Sequence, residues 1–385
     1  MRRAHVTLAL FFLADGFLLA SWAGRVPAVK AAHHLGDGRL GLALFAIASG
    51  ALIGMPLTAW LVHLTGSMRA LLVATGIDLT AVAIIAAVPS YGLLLATGLL
   101  FGCGFGAMNV ALNAHGIAIE RQAGRPVLSR LHACFSFGGL AGAGVAALAA
   151  AADVSARTHL AVIAGAWALV LALAAPGLAL PHREDVEEPP PLPRPRRAML
   201  ALGTIAFCCL LAEGAAADWS AVFLRDTTGA GPAIAAFGYF AFSGTMASGR
   251  LAGDRLVLRL GPRTLVRAGA TLGAAGLGLA LVTQTPVTAI LGWAVLGCGL
   301  STIVPITFRA AGRASPSAPS AGVAAVSSIG WLGFLTGPPV IGFVSSSASS
   351  LAAGLVLVVA AVSGIAVLAD RVEPSTATRL ADAWT

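Results

Sequence analysis

Apolar runs of about 20 residues recur along the whole chain, broken by short clusters of Arg, Pro, Asp or Asn, and a run of that length is what a helix needs to cross a bilayer's hydrocarbon core. Twelve such runs are read, at roughly 6–27, 38–64, 69–88, 91–118, 132–151, 157–180, 198–224, 232–256, 264–283, 286–311, 321–344 and 349–370. Stretches such as "AGAGVAALAAAA" and "LVLVVAAVSGIAVLA" lack the ten-residue alternation of a membrane barrel strand, so the spans are expected to be helical. Met1, Arg2 and Arg3 ahead of the first run have the charge pattern of a secretory leader. Asp15 interrupts the centre of that run, however, and eleven more follow, so it is read as the first transmembrane helix.

The polar stretch "PHREDVEEPPPLPRPRR" at 181–197 holds six prolines and neither spans lipid nor sustains a helix. It separates two sets of six spans, giving expected bundles at 1–180 and 198–385 joined by a linker at 181–197. The halves echo one another: "FGCGFGAMNVALN" at 101 aligns with "LGCGLSTIVPITF" at 296, an offset of 195 that also places Gly66 on Gly261. A duplicated six-helix unit accounts for this.

Composition and charge narrow the class further. The chain of 385 residues is 58% hydrophobic and 10% charged, beyond what a soluble core needs. With every second loop placed inside, all of the 24 Lys and Arg residues except Arg25, Lys30, Arg39, Arg157 and Arg225 fall on one side. The positive-inside bias then sets both termini in the cytoplasm, and the net charge of +8 is read as a topology signal with no nucleic-acid role. Cys103, Cys134, Cys208, Cys209 and Cys298 show no CxxC spacing and are read as small packing residues. No P-loop or HExxH motif occurs, so no cofactor, ATP-driven step or enzymatic activity is expected.

On these features the chain resembles the major facilitator superfamily over essentially its whole length. The resemblance is carried by the six-plus-six arrangement, the central loop, and "GRLAGDRLVLRLGPR" at 249–263, which is similar to that superfamily's basic loop. "GFGAMNVALN", "LHACFSFGGLAGA" and "EGAAADWSAVFLRD" resemble the fucose-permease-like branch. The resemblance implies an all-α membrane fold of twelve helices in two pseudo-symmetric bundles, working by alternating access, with Asp254, Arg259 and Arg263 as gating residues of the basic loop. Two departures stand out: His63 occupies the acidic position of the first-half loop, and Asn109 stands where related sugar symporters carry a carboxylate.

Polar groups inside the apolar runs are the remaining signal, because an ionisable side chain at mid-membrane costs about 2.5–3.5 kcal/mol by insertion scales and needs a partner or a wet cavity. Asp15, Leu18, Trp22 and Arg25 share one helix face by their 3-4-3 spacing; Asp15 is expected to line a cavity and Arg25 to snorkel at the outer interface or gate. Asn109 and Asn113 form a stripe on the fourth span, and His132 and Ser136 lie one turn apart on the fifth. Glu120 is read as a surface ion-pairing residue beside Arg121 and Arg125. Glu213 and Asp218 are separated by about 140° on the seventh span. Glu213 is assigned to the cavity, with Ala217 and Ser220 on its face, and Asp218 to an outer gate, meeting Arg25 or Arg225. Ser327 and Trp331 share a face of the eleventh span, ahead of a proline bend in "GFLTGPPVIG".

The expected function is secondary transport of a small polar solute, a sugar or sugar derivative, by a monomer in the cytoplasmic membrane, coupled to protons through Glu213 and Asp15. Expected solute contacts are Asp15, Trp22, Asn109, Asn113, Ser136, Glu213, Ser327 and Trp331. Proton-coupled efflux of drugs or metabolites is the alternative, against which the 6% aromatic content weighs.

Overall fold

The computed structural model of the chain describes residues 2–124, 127–179, 197–315 and 319–373, all helix and turn with no strand. The expected 181–197 linker lies outside the described residues except for Arg197, which begins the helix after it. In the first half the helices are α1 (Arg2–Ala23), the short α2 (Val26–Ala32), α3 (Asp37–Thr65), α4 (Ser67–Ile85), α5 (Tyr91–Ala123), α6 (Leu128–Ala151) and α7 (Ala156–Ala174). The second half holds α8 (Arg197–Val222), α9 (Pro232–Leu260), α10 (Pro262–Thr283), α11 (Pro286–Leu300), α12 (Ile303–Ala314), α13 (Pro319–Ala348) and α14 (Leu351–Leu368). They form two compact units: α1–α7 together with residues 230–240 of the α9 region, and α8, the remainder of α9 and α10–α14.

Helix is the expected answer to lipid, because it satisfies backbone N–H and C=O groups within one segment. Eleven helices among the described residues are long and apolar enough to cross a membrane. The predicted eighth span, α9, is 29 residues long but does not meet the same standard. Its first eighteen residues are diluted by Gly, Ser, Thr and Tyr, and its last eleven carry Arg250, Asp254, Arg255 and Arg259.

Helix starts follow their caps: the hydroxyls of Ser90, Ser155, Thr285 and Ser350 accept the N–H three residues on, at 3.4, 3.1, 3.3 and 3.4 Å. Two connections have no cap and need none of any length. Gly66 alone joins α3 to α4 with φ 85° and ψ 160°, and Gly261 alone joins α9 to α10 with φ 77° and ψ 155°. A side chain disfavours that backbone, and these are the two glycines that the 195-residue offset superposes.

Packing repeats at the same offset. A Cβ on Gly102 of α5 would strike the Ile47 carbonyl of α3, and one on Gly297 of α11 would strike the Phe242 carbonyl of α9. Gly104 meets Asp78 of α4, whereas Gly299 meets Gly269 of α10. In both units, then, a Gly-x-Gly run lets one helix lie directly on two others, the close approach that drives helix association where lipid removes the hydrophobic drive. Gly16, Gly138 and Gly142 do the same between α1 and α6, and Gly333 between α13 and α8.

One difference between the halves has a local cause. The first-half helix α5 is continuous, but its counterpart is split into α11 and α12 around Ser301 and Thr302. Pro305 lacks an N–H for the Ser301 carbonyl and its ring crowds that group; the aligned first-half residue is Val110. By contrast, α13 runs on as helix through Pro338 and Pro339.

Gly102→Ala is expected to lower the thermal midpoint of the purified chain in detergent by an amount corresponding to about 1–3 kcal/mol of overpacking. Gly165→Ala, on α7 with open space around the added methyl, is expected to leave the midpoint unchanged or slightly raised.

Candidate functional site

The polar stripe on α5 and α6 is assembled within the first unit. Asn113 spends its Nδ2–H on the Asn109 carbonyl one turn back, at 2.7 Å, and its Oδ1 lies 3.1 Å from His132 Nε2. An amide oxygen only accepts, so His132 donates from Nε2. The imidazole meets the edge of Phe12 of α1 at 5.2 Å between centroids, so three helices converge on this residue. Ser136 donates to the His132 carbonyl at 3.2 Å. The side-chain amide of Asn109 makes no hydrogen bond among the described residues and is half-buried, leaving a donor and an acceptor for a solute.

Deeper in the same unit lie two acids. Asp15 is 1% exposed and its Oδ1 has no partner; Asp78 is equally buried, and neither of its carboxylate oxygens has one. They are near enough for Asp78's charge to act on Asp15, and Asp78 sits against Gly104, where any side chain would collide with it. Asp15 is therefore sealed in the bundle and not at an open surface. An unpaired buried carboxylate is costly, which makes this pair a candidate for holding a proton. Sequence reasoning passed over Asp78, although the signal was present: it is the lone charge in "LLVATGIDLTAVAII", and the second-half counterpart is Gly273.

Arg25 corrects a second expectation. It does not snorkel: it is 4% exposed, donates from Nε to His159 Nδ1 at 3.1 Å and from Nη2 to the Val154 carbonyl at 2.9 Å. It thereby ties the outer end of α1 to α7 and to the turn before it. Trp22, on the same face, is buried with its ring edge-on to Phe101 of α5 at 5.9 Å. Glu120 is also not a simple surface pair: its Oε1 accepts the N–H groups of Val127 and Leu128, at 2.6 and 2.9 Å, and so caps α6. Ser67 Oγ lies 2.6 Å from His115 Nδ1, and His115 Nε2 donates to the Leu178 carbonyl at 3.1 Å, a buried link between α4, α5 and the end of the α7 segment.

In the second unit Glu213 of α8 meets Arg250 of α9, Oε1 to Nη2 at 3.5 Å, with both side chains partly open. Arg250, which belongs both to the expected eighth span at 232–256 and to the 249–263 stretch resembling the basic loop, lies within α9. Ala217 is half-exposed like Glu213, but Ser220 is fully buried with an unpartnered hydroxyl, so the expected common face ends before it. Asp218 makes no ion pair with Arg25 or Arg225 among the described residues. Ser327 and Trp331 lie half-buried on α13, with Trp331 tilted against Phe334 at 5.3 Å.

Of the expected gating residues, the side chain of Asp254 lies outside the description and Arg259 is exposed. Arg263 is ion-paired to Asp370, which Arg267 also binds at 2.9 Å. The cysteines are all free, and only Cys209 is buried, with Cys298 exposed, so packing in the bundle core explains just one of them. No group of three metal-ligating side chains occurs among the described residues.

No family model matches the sequence. The chain is 34% identical over 354 residues to an uncharacterised MFS-type transporter of Yersinia pestis, covering 91% of this chain and 92% of the relative. Among solved structures it is similar to the nucleoside transporter NupG, with a TM-score of 0.74 at 14% identity over 96% of this chain and 98% of that one. It is likewise similar to a D-xylose–proton symporter, with a TM-score of 0.73 at 16% identity over 95% and 96%. At such identity these two likenesses establish the fold alone.

Arg25→Ala leaves the Val154 carbonyl and His159 without their partner in a buried place, and is expected to destabilise the chain by about 1–3 kcal/mol. Arg157→Ala, at an exposed position two residues from His159, is expected to stay within about 0.5 kcal/mol. Thermal unfolding of the two purified variants in detergent checks both.

Proposed function

We propose that this chain, which belongs to the major facilitator superfamily of membrane transporters, carries a small polar solute across the cytoplasmic membrane by alternating access, together with a proton. The observation that carries this reading is the Glu213–Arg250 pair, partly open and loosely joined, with no charge in the eighteen residues of α9 before Arg250 or in the fifteen of α8 between Arg197 and Glu213. Lipid penalises such groups unless water or a ligand reaches them. Half-buried Asn109 and Asn113, with exposed His132, supply a second polar group of donors and acceptors, suited to hydroxyl-rich molecules. The fold shared with a nucleoside transporter and a D-xylose–proton symporter is consistent with a solute of that kind.

Roles divide as follows. Asn109, Asn113 and Ser136 in the first unit, and Ser327 and Trp331 in the second, contact the solute. Glu213 carries the coupling proton, and the Asp15–Asp78 pair holds a second exchangeable proton deeper in the first unit. The basic bias of alternate loops puts both termini in the cytoplasm.

Uptake into proteoliposomes under an inward proton gradient, across a panel of sugars, sugar acids and nucleosides, tests the reading. Solute-driven proton entry is expected. Glu213→Gln is expected to reduce gradient-driven accumulation at least about tenfold, a loss of 1.4 kcal/mol or more of coupling, while exchange of internal for external solute continues. Full accumulation by Glu213→Gln refutes the coupling role, and solute movement only against the proton flow identifies an efflux antiporter instead.

A further inference from the structure

The charge state of the second unit says more about the solute. We propose that Arg250 is the docking point for an acidic group on the solute, and that Glu213 occupies this guanidinium while solute is absent. The inference rests on the proton-linked reading above and narrows its substrate class to sugar derivatives bearing a carboxylate or phosphate.

The argument begins with the cost of placing Arg250 where it is. The eighteen residues of α9 before it carry no charge. It stands about 27 Å from the helix start and 15 Å from its end by helical rise. A guanidinium presents five N–H donors in a fixed fork and matches a carboxylate with two parallel bonds of about 2.7–2.9 Å. Arg250 makes a single contact, at 3.5 Å through Nη2, and neither it nor Glu213 has another hydrogen bond or ion pair among the described residues. A pair built only for stability is expected to be short and closed. Here the two side chains remain 39% and 26% exposed, so the pair is not closed off from a further partner.

Among the described residues no second acid is paired with that fork; the side chain of Asp254, one turn on along α9, lies outside the description. Besides α9, the segments packed on α8 are α11–α14 and the short turn Ala369–Val372. Of these, α13 and α14 carry no ionisable side chain in their described lengths, and Asp370 of that turn is held by Arg263 and Arg267 while Arg371 is exposed. On α12, Arg313 is directed to the Val372 carbonyl, and Arg309 adds positive charge only. Cys209, one turn before Glu213 on α8, is fully buried and near enough for both members of the pair to act on it electrostatically. Asp218 points about 140° away from Glu213 on the same helix.

Competition then links proton and solute. A proton taken from water forms the O–H bond of the Glu213 carboxyl, and the pair loses its negative member. Arg250 keeps its charge and takes the solute's carboxylate or phosphate in its place. On the other side the solute leaves, the O–H bond breaks, the proton passes to water, and Glu213 returns to Arg250. One proton and one negative charge travel together, so a monoanion moves with no net charge.

Thermal unfolding of the purified full chain at pH 6 and pH 8 tests this, with D-glucuronate, D-gluconate and glucose 6-phosphate set against D-glucose and D-xylose. An acid is expected to raise the melting temperature, more at pH 6 than at pH 8, while the neutral sugars do not. Glu213→Gln is expected to bind the acid equally at both pH values and, at pH 8, roughly tenfold or more tighter than the unmodified chain. Arg250→Gln is expected to lose the acid response, and Arg250→Lys to keep a weakened one. Should Arg250→Gln fail to fold, Glu213→Gln decides by itself, because loss of acid binding in that variant overturns the proposal. Stabilisation by neutral sugars equal to that by acids, or no response to any acid, also overturns it. Proton-linked uptake of a neutral sugar in proteoliposomes leaves the symporter reading standing without this inference; absence of proton-linked flux for every solute removes both.

Discussion

In the hydrocarbon core of a bilayer an unpaired backbone amide or a bare charge costs several kcal/mol, and each level of this structure answers that cost. The backbone is satisfied by helix along nearly every described segment. Because lipid is as apolar as leucine, helices gain little by hiding apolar surface from it. Close approach through glycine takes over as the means of association. The contacts of Gly102 with Ile47, Gly138 with Leu13 and Gly333 with Phe207 are backbone against backbone, which only the smallest residue permits.

Duplication and divergence are both visible at the atomic level. The single-residue turns at Gly66 and Gly261 adopt nearly the same backbone angles, and the Gly-x-Gly runs of α5 and α11 pack on corresponding partners. Against that common frame the halves have separated in chemistry. The first unit encloses Asp15 and Asp78 out of reach of solvent, with Gly273 where a second-half copy of Asp78 would stand. The second unit has Pro305 where the first has Val110, breaking its helix, and holds its acid in the open beside Arg250. The sealed pair suits a store of charge that exchanges slowly, and the open pair suits a ligand that comes and goes.

Polar atoms at depth sort into those that are consumed and those that are available. Arg25, Ser67, His115 and Glu120 are consumed: their hydrogen bonds close helix ends and join neighbouring helices. Asn109, Glu213 and Arg250 are available, because their donors and acceptors exceed the partners the protein provides. That surplus, more than position along the chain, separates candidate transport residues from structural ones.

Eleven of the twelve spans, their helical nature, the twofold repeat and the Gly66–Gly261 correspondence were legible in the sequence, since each depends on local length, periodicity or composition. So was the spacing of Asp15 and Trp22 on one helix, although α1 ends at Ala23 and leaves Arg25, expected on the same face, in the turn beyond it. What spacing does not contain is the neighbour on another helix. Whether Arg25 reaches lipid or His159, whether Glu120 sits on the surface or caps α6, and whether Arg250 meets Glu213 depend on residues 134, 7 and 37 positions away. Local hydropathy is a sum over adjacent side chains and set the spans. The pairing of charges is a matter of distance across helices, and only the tertiary packing brought those partners together.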